Sequence, residues 1–464
     1  MKKVIVYFLL GVMISSCSND FTDLNPVSNR NVSQFYKSSS DFKTAINASY
    51  AGLQNYGVYN RAYWLMFEMR SDNTDQGPDA TGLAKQFQEI NAFTEDALNE
   101  QVTAAWINSY KVIANSNTIL ERIESAEIEE TLKKGITGEA LFLRSLMYYN
   151  LAVGFGNIPL QITPYNQGEQ LTQVSTDEVY KQLILDLTKA EEDLPVSYTA
   201  GEVGKATKGA AATLLAKIYL TTSQNTEAEA VLRRIINNYG YQLLNDYANI
   251  WGIENENNEE SIFEVQFIGG GIGQGSAFTN DFSPSAFLQT GQGFGRNRPT
   301  AYLINSFSSE DLRFEPSIGT SYINAEGQTT EANYIKKYKS SPQTENDSGL
   351  NFIVFRYADV LLMLAEAIGE SPEAYGLINK IRQRAGLEDV NGNTSGTFTD
   401  ILSHERQLEF TFENHRWADL KRFGIEKQIF ENAENGVVKP ENVRELFYIP
   451  QRELDINPNF IQNN

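Results

Sequence analysis

The sequence predicts a mostly α-helical protein of antiparallel, tetratricopeptide-like helix pairs, with long loops and a few short strands set between them. Three observations lead there. Capping signals precede runs with apolar residues every three or four positions, one long segment is apolar on all sides, and the middle of the chain loses helical periodicity. No repeat carrying the 34-residue tetratricopeptide motif is present, so helix pairing is expected and strict repetition is not.

The elements follow in order. Lys2 and Lys3 precede an apolar run over 4–14, then Ser15, Ser16 and Cys17. A bilayer span needs about 20 apolar residues, so this shorter run reads as a signal peptide over 1–16. Residues 17–34 are polar, contain Asn25-Pro26, and read as a tether. From about 38 to 240 the pattern is helical. Residues 140–153 are apolar nearly all round and are expected to be buried on every side. Ser175 and Glu178 form a capping box ahead of Val179, Leu183 and Leu187, and Leu194-Pro195 ends that helix. Thr226 and Glu229 read as a second box, followed by Val231, Leu232, Ile235 and a stop at Gly240.

Within 261–268 Phe263, Val265 and Phe267 alternate, which predicts a strand. A loop-rich insert of Gly, Ser, Asn and aromatics fills about 269–349. Helices resume over 357–368, then from Ser371, with Pro372 in the first position, to Arg384 and a stop at Gly386. A charged helix is expected from about 400 to 423. There Glu405, Glu409 and Glu413 with Arg406, Arg416 and Arg422 have the spacing of ion pairs on a helix surface. The chain divides into an N-terminal helical region over 35–250 and a C-terminal region over 251–464.

Composition excludes several functions. Lys plus Arg number 38 against 59 Asp plus Glu, a net charge of −21. That disfavours nucleic acid, which needs clustered basic residues, and electrostatic adhesion to anionic lipid. One Cys and two His leave no internal disulfide, thiolate metal cage or multi-histidine zinc site. His404-Glu405 starts like a zinc-protease motif, but Leu408 stands where the second His is required. Gly269, Gly270, Gly271, Gly273 and Gly275 miss every phosphate-loop spacing and read as a flexible loop. No catalytic residue, metal or cofactor is assigned.

Long blocks in register carry a resemblance: EALFLRSLMYYNLAVGFGNIPL (139–160), RYADVLLMLAEAIGE (356–370), INKIRQRAGL (378–387), ERQLEFTFENHRWADLKRFG (405–424) and YIPQRELDINPNFIQN (448–463). With them the chain resembles the SusD/RagB family of outer-membrane nutrient-binding lipoproteins. Cys17 resembles the lipidated cysteine of a bacterial lipobox, and Ser18-Asn19-Asp20 is similar to a surface-export signal. The resemblance implies a tetratricopeptide-like scaffold whose irregular loops form the ligand surface. It implies a cell-surface, outer-membrane location through a lipid anchor on Cys17, a SusC-like TonB-dependent barrel as partner, and an oligosaccharide ligand without catalysis. Peptide is the alternative ligand, and a surface glycoside hydrolase the alternative class.

Sugar binding needs flat apolar faces to stack on and planar polar groups to pair with hydroxyls. Two loop regions hold that mixture. The first supplies Asp72, Asn73, Asp75, Phe87 and Phe93, with Asp72 matching an acidic position near the ligand in the family. The second supplies Phe278, Phe282, Arg296, Arg298 and Tyr322, with Phe287, Phe294 and Tyr302 nearby. Neither region contains Trp, which leaves peptide open. The acidic balance disfavours a strongly polyanionic ligand, although Arg296 and Arg298 can accept one carboxylate-bearing sugar.

Overall fold

A computed structural model describes residues 35–463 apart from 78–80, 167, 200, 285–292, 325, 341, 343 and 433–437. Cys17, the signal, the tether and Phe287 lie outside the described residues. The N-terminal region is a stack of helices: α1 (Ser39–Leu53), α2 (Leu83–Asn91), α3 (Glu100–Glu124), α4 (Glu130–Phe155), α5 (Thr176–Asp193), α6 (Lys208–Thr221) and α7 (Asn225–Asn238). From α3 to α7 each helix packs on its successor, as short connections between antiparallel helices require. Over 140–153 every residue except Asn150 is buried. The small residues Ala210, Ala211, Ala212 and Ala216 bring α6 close to its neighbours.

The C-terminal region adds α8 (Phe278–Phe282), α9 (Tyr357–Ile368), α10 (Pro372–Arg384), α11 (Phe398–Glu409) and α12 (Arg416–Phe423). Helix α9 packs on α6 and α7, so the two regions share one hydrophobic core. Among the described residues the strands form four antiparallel pairs. They are β1 (Thr74–Asp75) with β5 (Arg298–Pro299), β2 (Ile158–Pro159) with β3 (Gln173–Val174), β4 (Ser261–Val265) with β8 (Phe352–Arg356), and β6 (Ile318–Ile323) with β7 (Thr329–Ile335).

Some local expectations shift. The box at Ser175 and Glu178 forms, whereas α7 starts at Asn225 without a side-chain cap. The charged helix is broken in two, because Phe412 and Asn414 adopt φ of 69° and 65° and turn the chain between α11 and α12. The glycine run is a closed turn: Ile268 bridges Gln274, and Asp347 accepts hydrogen bonds from Gly270 and Gly271 N–H at 2.9 and 2.7 Å. Residues from α12 and the segment after it cap the buried helix α4 together with its own Gly156. Its last four carbonyls take Gly156 N–H, Lys421 Nζ, Phe447 N–H and Asn463 Nδ2 in turn. These are the acceptors a helix C-terminus leaves open.

The charges expected on a helix surface are interior. Arg356 donates to Glu413 at 2.7 Å and Glu260 at 2.8 Å, and pairs with Glu409. Arg313 joins Asp311 at 2.8 Å and Glu405 at 2.6 Å, and Arg384 joins Glu260 at 2.7 Å. Arg406 bridges Asp419 and Asp359 at 2.8 Å each, and Lys217 meets Asp359 at 2.9 Å. Each of these side chains is almost wholly sealed from water. Neighbouring cations hold Glu409, Asp419 and Asp359 far below the usual carboxylate range despite burial. An isolated buried ion costs several kcal/mol, so the lattice survives only because every member is matched.

His415 sits in this lattice with Nδ1 3.2 Å from Lys217 Nζ. An ammonium only donates, so Nδ1 accepts and the ring is neutral. Burial, then the Lys217 charge, pushes the imidazole down to about 4. The unfolded chain therefore takes up this proton first. Stability from neutral His415 is complete above about pH 6.5 and erodes as pH falls towards 4. Urea unfolding from pH 7.5 to 5 is expected to show His415→Gln less acid-sensitive than wild type, by up to about 1.4 kcal/mol per pH unit. Parallel pH profiles would contradict this.

Candidate ligand-binding surface

The segment after the short helical turn at 62–69 is core. Arg70, Ser71, Asp72, Asn73 and Thr74 are all at most 1% exposed. Arg416 holds Asp72 with two bonds, Nε to Oδ1 at 2.8 Å and NH2 to Oδ2 at 2.7 Å. Gln407 Nε2 donates to Asp72 at 3.1 Å and to Asn73 at 3.0 Å, and Thr300 Oγ1 donates to the Asp72 carbonyl at 2.8 Å. Asn73 Nδ2 donates to Glu68, which burial pushes up to about 7. Asp72 and Asn73 thus tie the first loop to α11 and α12, and neither offers an open face to a ligand.

Four predicted rings are also interior. Phe87, Phe93, Phe278 and Phe282 are at most 3% exposed. Trp64 meets Phe87 and Phe282 edge-on, Phe93 packs on Trp417, and Phe278 lies against Phe267, Tyr338 and Phe352. Their placement replaces the stacking role expected of them with a packing role. The spacing of Ala84, Phe87 and Ile90 along α2 is the signal for this, since it is the buried stripe of an amphipathic helix.

The remaining candidates reach the rim. Asp75 pairs with Arg298 across the β1–β5 ladder at 3.0 Å, both partly exposed. Arg296 NH1 reaches Asp281 at 2.5 Å, and Arg61 reaches the same carboxylate from the other side with two contacts of 3.1 Å. Asp281 is fully buried, while the Arg61 and Arg296 side chains are each 13% exposed. Their guanidinium groups flank buried Phe87. Arg61 also lies 4.7 Å over the Tyr56 ring and Arg296 4.3 Å over the Phe294 ring. Tyr56 is 42% and Phe294 37% exposed. Tyr322 is half-buried on β6, opposite Thr330.

Backbone bonds fix the arrangement: Phe294 N–H to the Asn280 carbonyl and Arg296 N–H to the Asp281 carbonyl hold this rim on α8. Sequence reasoning missed Tyr56 and Arg61. Tyr56 follows α1 in a turn with Gly57, which marks an exposed ring, but nothing local shows Arg61 meeting a carboxylate 220 positions away.

The stacked-helix scaffold thus bears a loop-built face of open rings and guanidinium donors. Residues 20–220 match the family model described as starch-binding associating with outer membrane, and residues 315–464 match the SusD family model. The whole chain is 27% identical to SusD-like protein P2 of Formosa agariphila, over 99% of that protein. Two solved structures, a laminarin binding SusD-like protein and a SusD superfamily protein from Bacteroides vulgatus, are each 27% identical. They superpose with TM-scores of 0.81 and 0.80, each covering 92% of this chain and 99% of the other. The chain belongs to the SusD/RagB family.

Asp72→Ala strands the Arg416 charge in the core. Urea denaturation is expected to show a loss of about 3–5 kcal/mol, part of which Arg416→Met restores in the double variant. Undiminished stability of the single variant would contradict the buried placement.

Proposed function

We propose that the protein is a non-catalytic, lipid-anchored outer-membrane lipoprotein of the cell surface that captures an oligosaccharide on the Tyr56–Arg61–Asp281–Arg296–Phe294 rim and delivers it to a SusC-like TonB-dependent barrel. The observation that carries the reading is the pair of open rings, Tyr56 and Phe294, each backed by a guanidinium group. A cation over the ring holds it in place, and the exposed part of each ring is available to the axial C–H face of a sugar. Arg61 and Arg296 stand beside them as donors for oxygen atoms. Asp75 and Asp281 are each tied to arginine, which leaves neither free to work as a general acid or base. The laminarin binding relative and the starch-binding description of the matched family support a glycan as the ligand. The family resemblance at Cys17 supports the anchor and the barrel partner.

Binding on an open face is expected to be modest. A ring contact adds about 0.5–1.5 kcal/mol, and ordering the ligand opposes it. Such weakness suits hand-over to a transporter. Tyr56→Ala and Phe294→Ala are each expected to weaken glycan binding about three- to tenfold in calorimetric titration, with the urea midpoint unchanged. Unaltered affinity in both variants would refute this surface.

A further inference from the structure

The charges of the proposed rim point to the class of glycan it takes. The guanidinium groups of Arg61 and Arg296 meet there on Asp281, Arg298 follows two residues along the chain, and a guanidinium only donates. Arg61 and Arg296 share one carboxylate, Asp281, which is fully buried and presents no acceptor outward. Arg298 has a single 3.0 Å contact to Asp75, and its buried Nε has no hydrogen-bond partner among the described residues. The direct carboxylate partners of these three arginines are Asp281 and Asp75, and both are already engaged. Arg61 and Arg296 rest on the apolar ring of Phe87, where a charge is screened less than in open water. The exposed Glu345 lies within electrostatic reach of Tyr56 and is a third carboxylate on the solvent side, one without a guanidinium partner among the described residues of the rim.

A neutral sugar hydroxyl both donates and accepts, so a face of donors uses half of its capacity. A carboxylate or sulfate supplies only acceptors and fits the guanidinium fork. We infer that this rim selects an anionic glycan, one whose sugars carry a carboxylate or sulfate that Arg296, Arg61 and Arg298 receive while the ring stacks on Tyr56 or Phe294. The inference rests on the rim being the glycan site. The net charge of −21 repels a densely charged polymer at long range, so the favoured ligand is sparsely substituted.

The test is calorimetric titration of the intact protein with three oligosaccharides of matched length: an oligogalacturonate, a sulfated galactan oligomer and neutral laminarihexaose. At least one charged probe is expected to bind tenfold or more tighter than laminarihexaose, and which one does so separates carboxylate from sulfate. Arg296→Gln should lower the affinity for that probe about tenfold, the size of a charge-assisted contact, and lower that for laminarihexaose by a clearly smaller factor. Glu345→Gln, a change on the open surface that does not touch the core, should raise it. Laminarihexaose binding as well as both charged probes, or Glu345→Gln leaving the charged probe unaffected, would overturn the anionic class. If Tyr56→Ala still weakens laminarihexaose in that case, the rim stands as the site and only its selectivity falls. Binding of none of the three probes would overturn both.

Discussion

The buried pairing of Asp72 with Arg416 joins positions 344 residues apart, and the rest of the molecule is arranged around such pairs. Glu68 accepts from the backbone N–H of Phe412 and Asn414, and Lys217 reaches Asp359, so three separate bonds stitch the N-terminal helices to the C-terminal region. A buried lattice of this kind adds little net stability over a hydrophobic core, but it penalises every arrangement in which a charge is unmatched. Here that penalty fixes where the loop after residue 69 lies.

With that loop fixed, the rim follows. Thr74 and Asp75 pair with the strand at Arg298, Thr300 binds back to Asp72 and Asn73, and α8 presents Asp281 to arginines from two directions. The exposed rings therefore sit on a rigid base, and a ligand does not have to order it. Both family models matched along the chain span portions of this joint, one before and one after the segment that supplies Phe294 and Arg296.

Much of the fold was legible. Helix caps at Ser175 and Ser371, the all-apolar run in α4 and the alternation in β4 each depend on neighbours in sequence. The charged segment was misread for a physical reason. Glutamate and arginine at three- and four-residue spacing look the same whether they pair along a wet surface or face partners brought from far away, and Arg313, Arg356 and Glu260 come from elsewhere in the chain. Asp72 and Asn73 carry polar chemistry that the core uses for itself. Phe87 and Phe282 are buried because a ring in a loop or short helix reaches inward as readily as outward. Phe294 and Arg296 lay in the right loop, while Tyr56 and Arg61 required the third dimension.

Hydrogen exchange on the intact protein, followed with and without a bound glycan, tests most directly that a sealed joint supports an open rim. The amides of 71–76 are expected to exchange as slowly as those of α4 in the free protein, and a glycan should add protection around Tyr56–Arg61 and 293–298 only. Fast exchange over 71–76, or protection by the glycan centred there, would contradict the account.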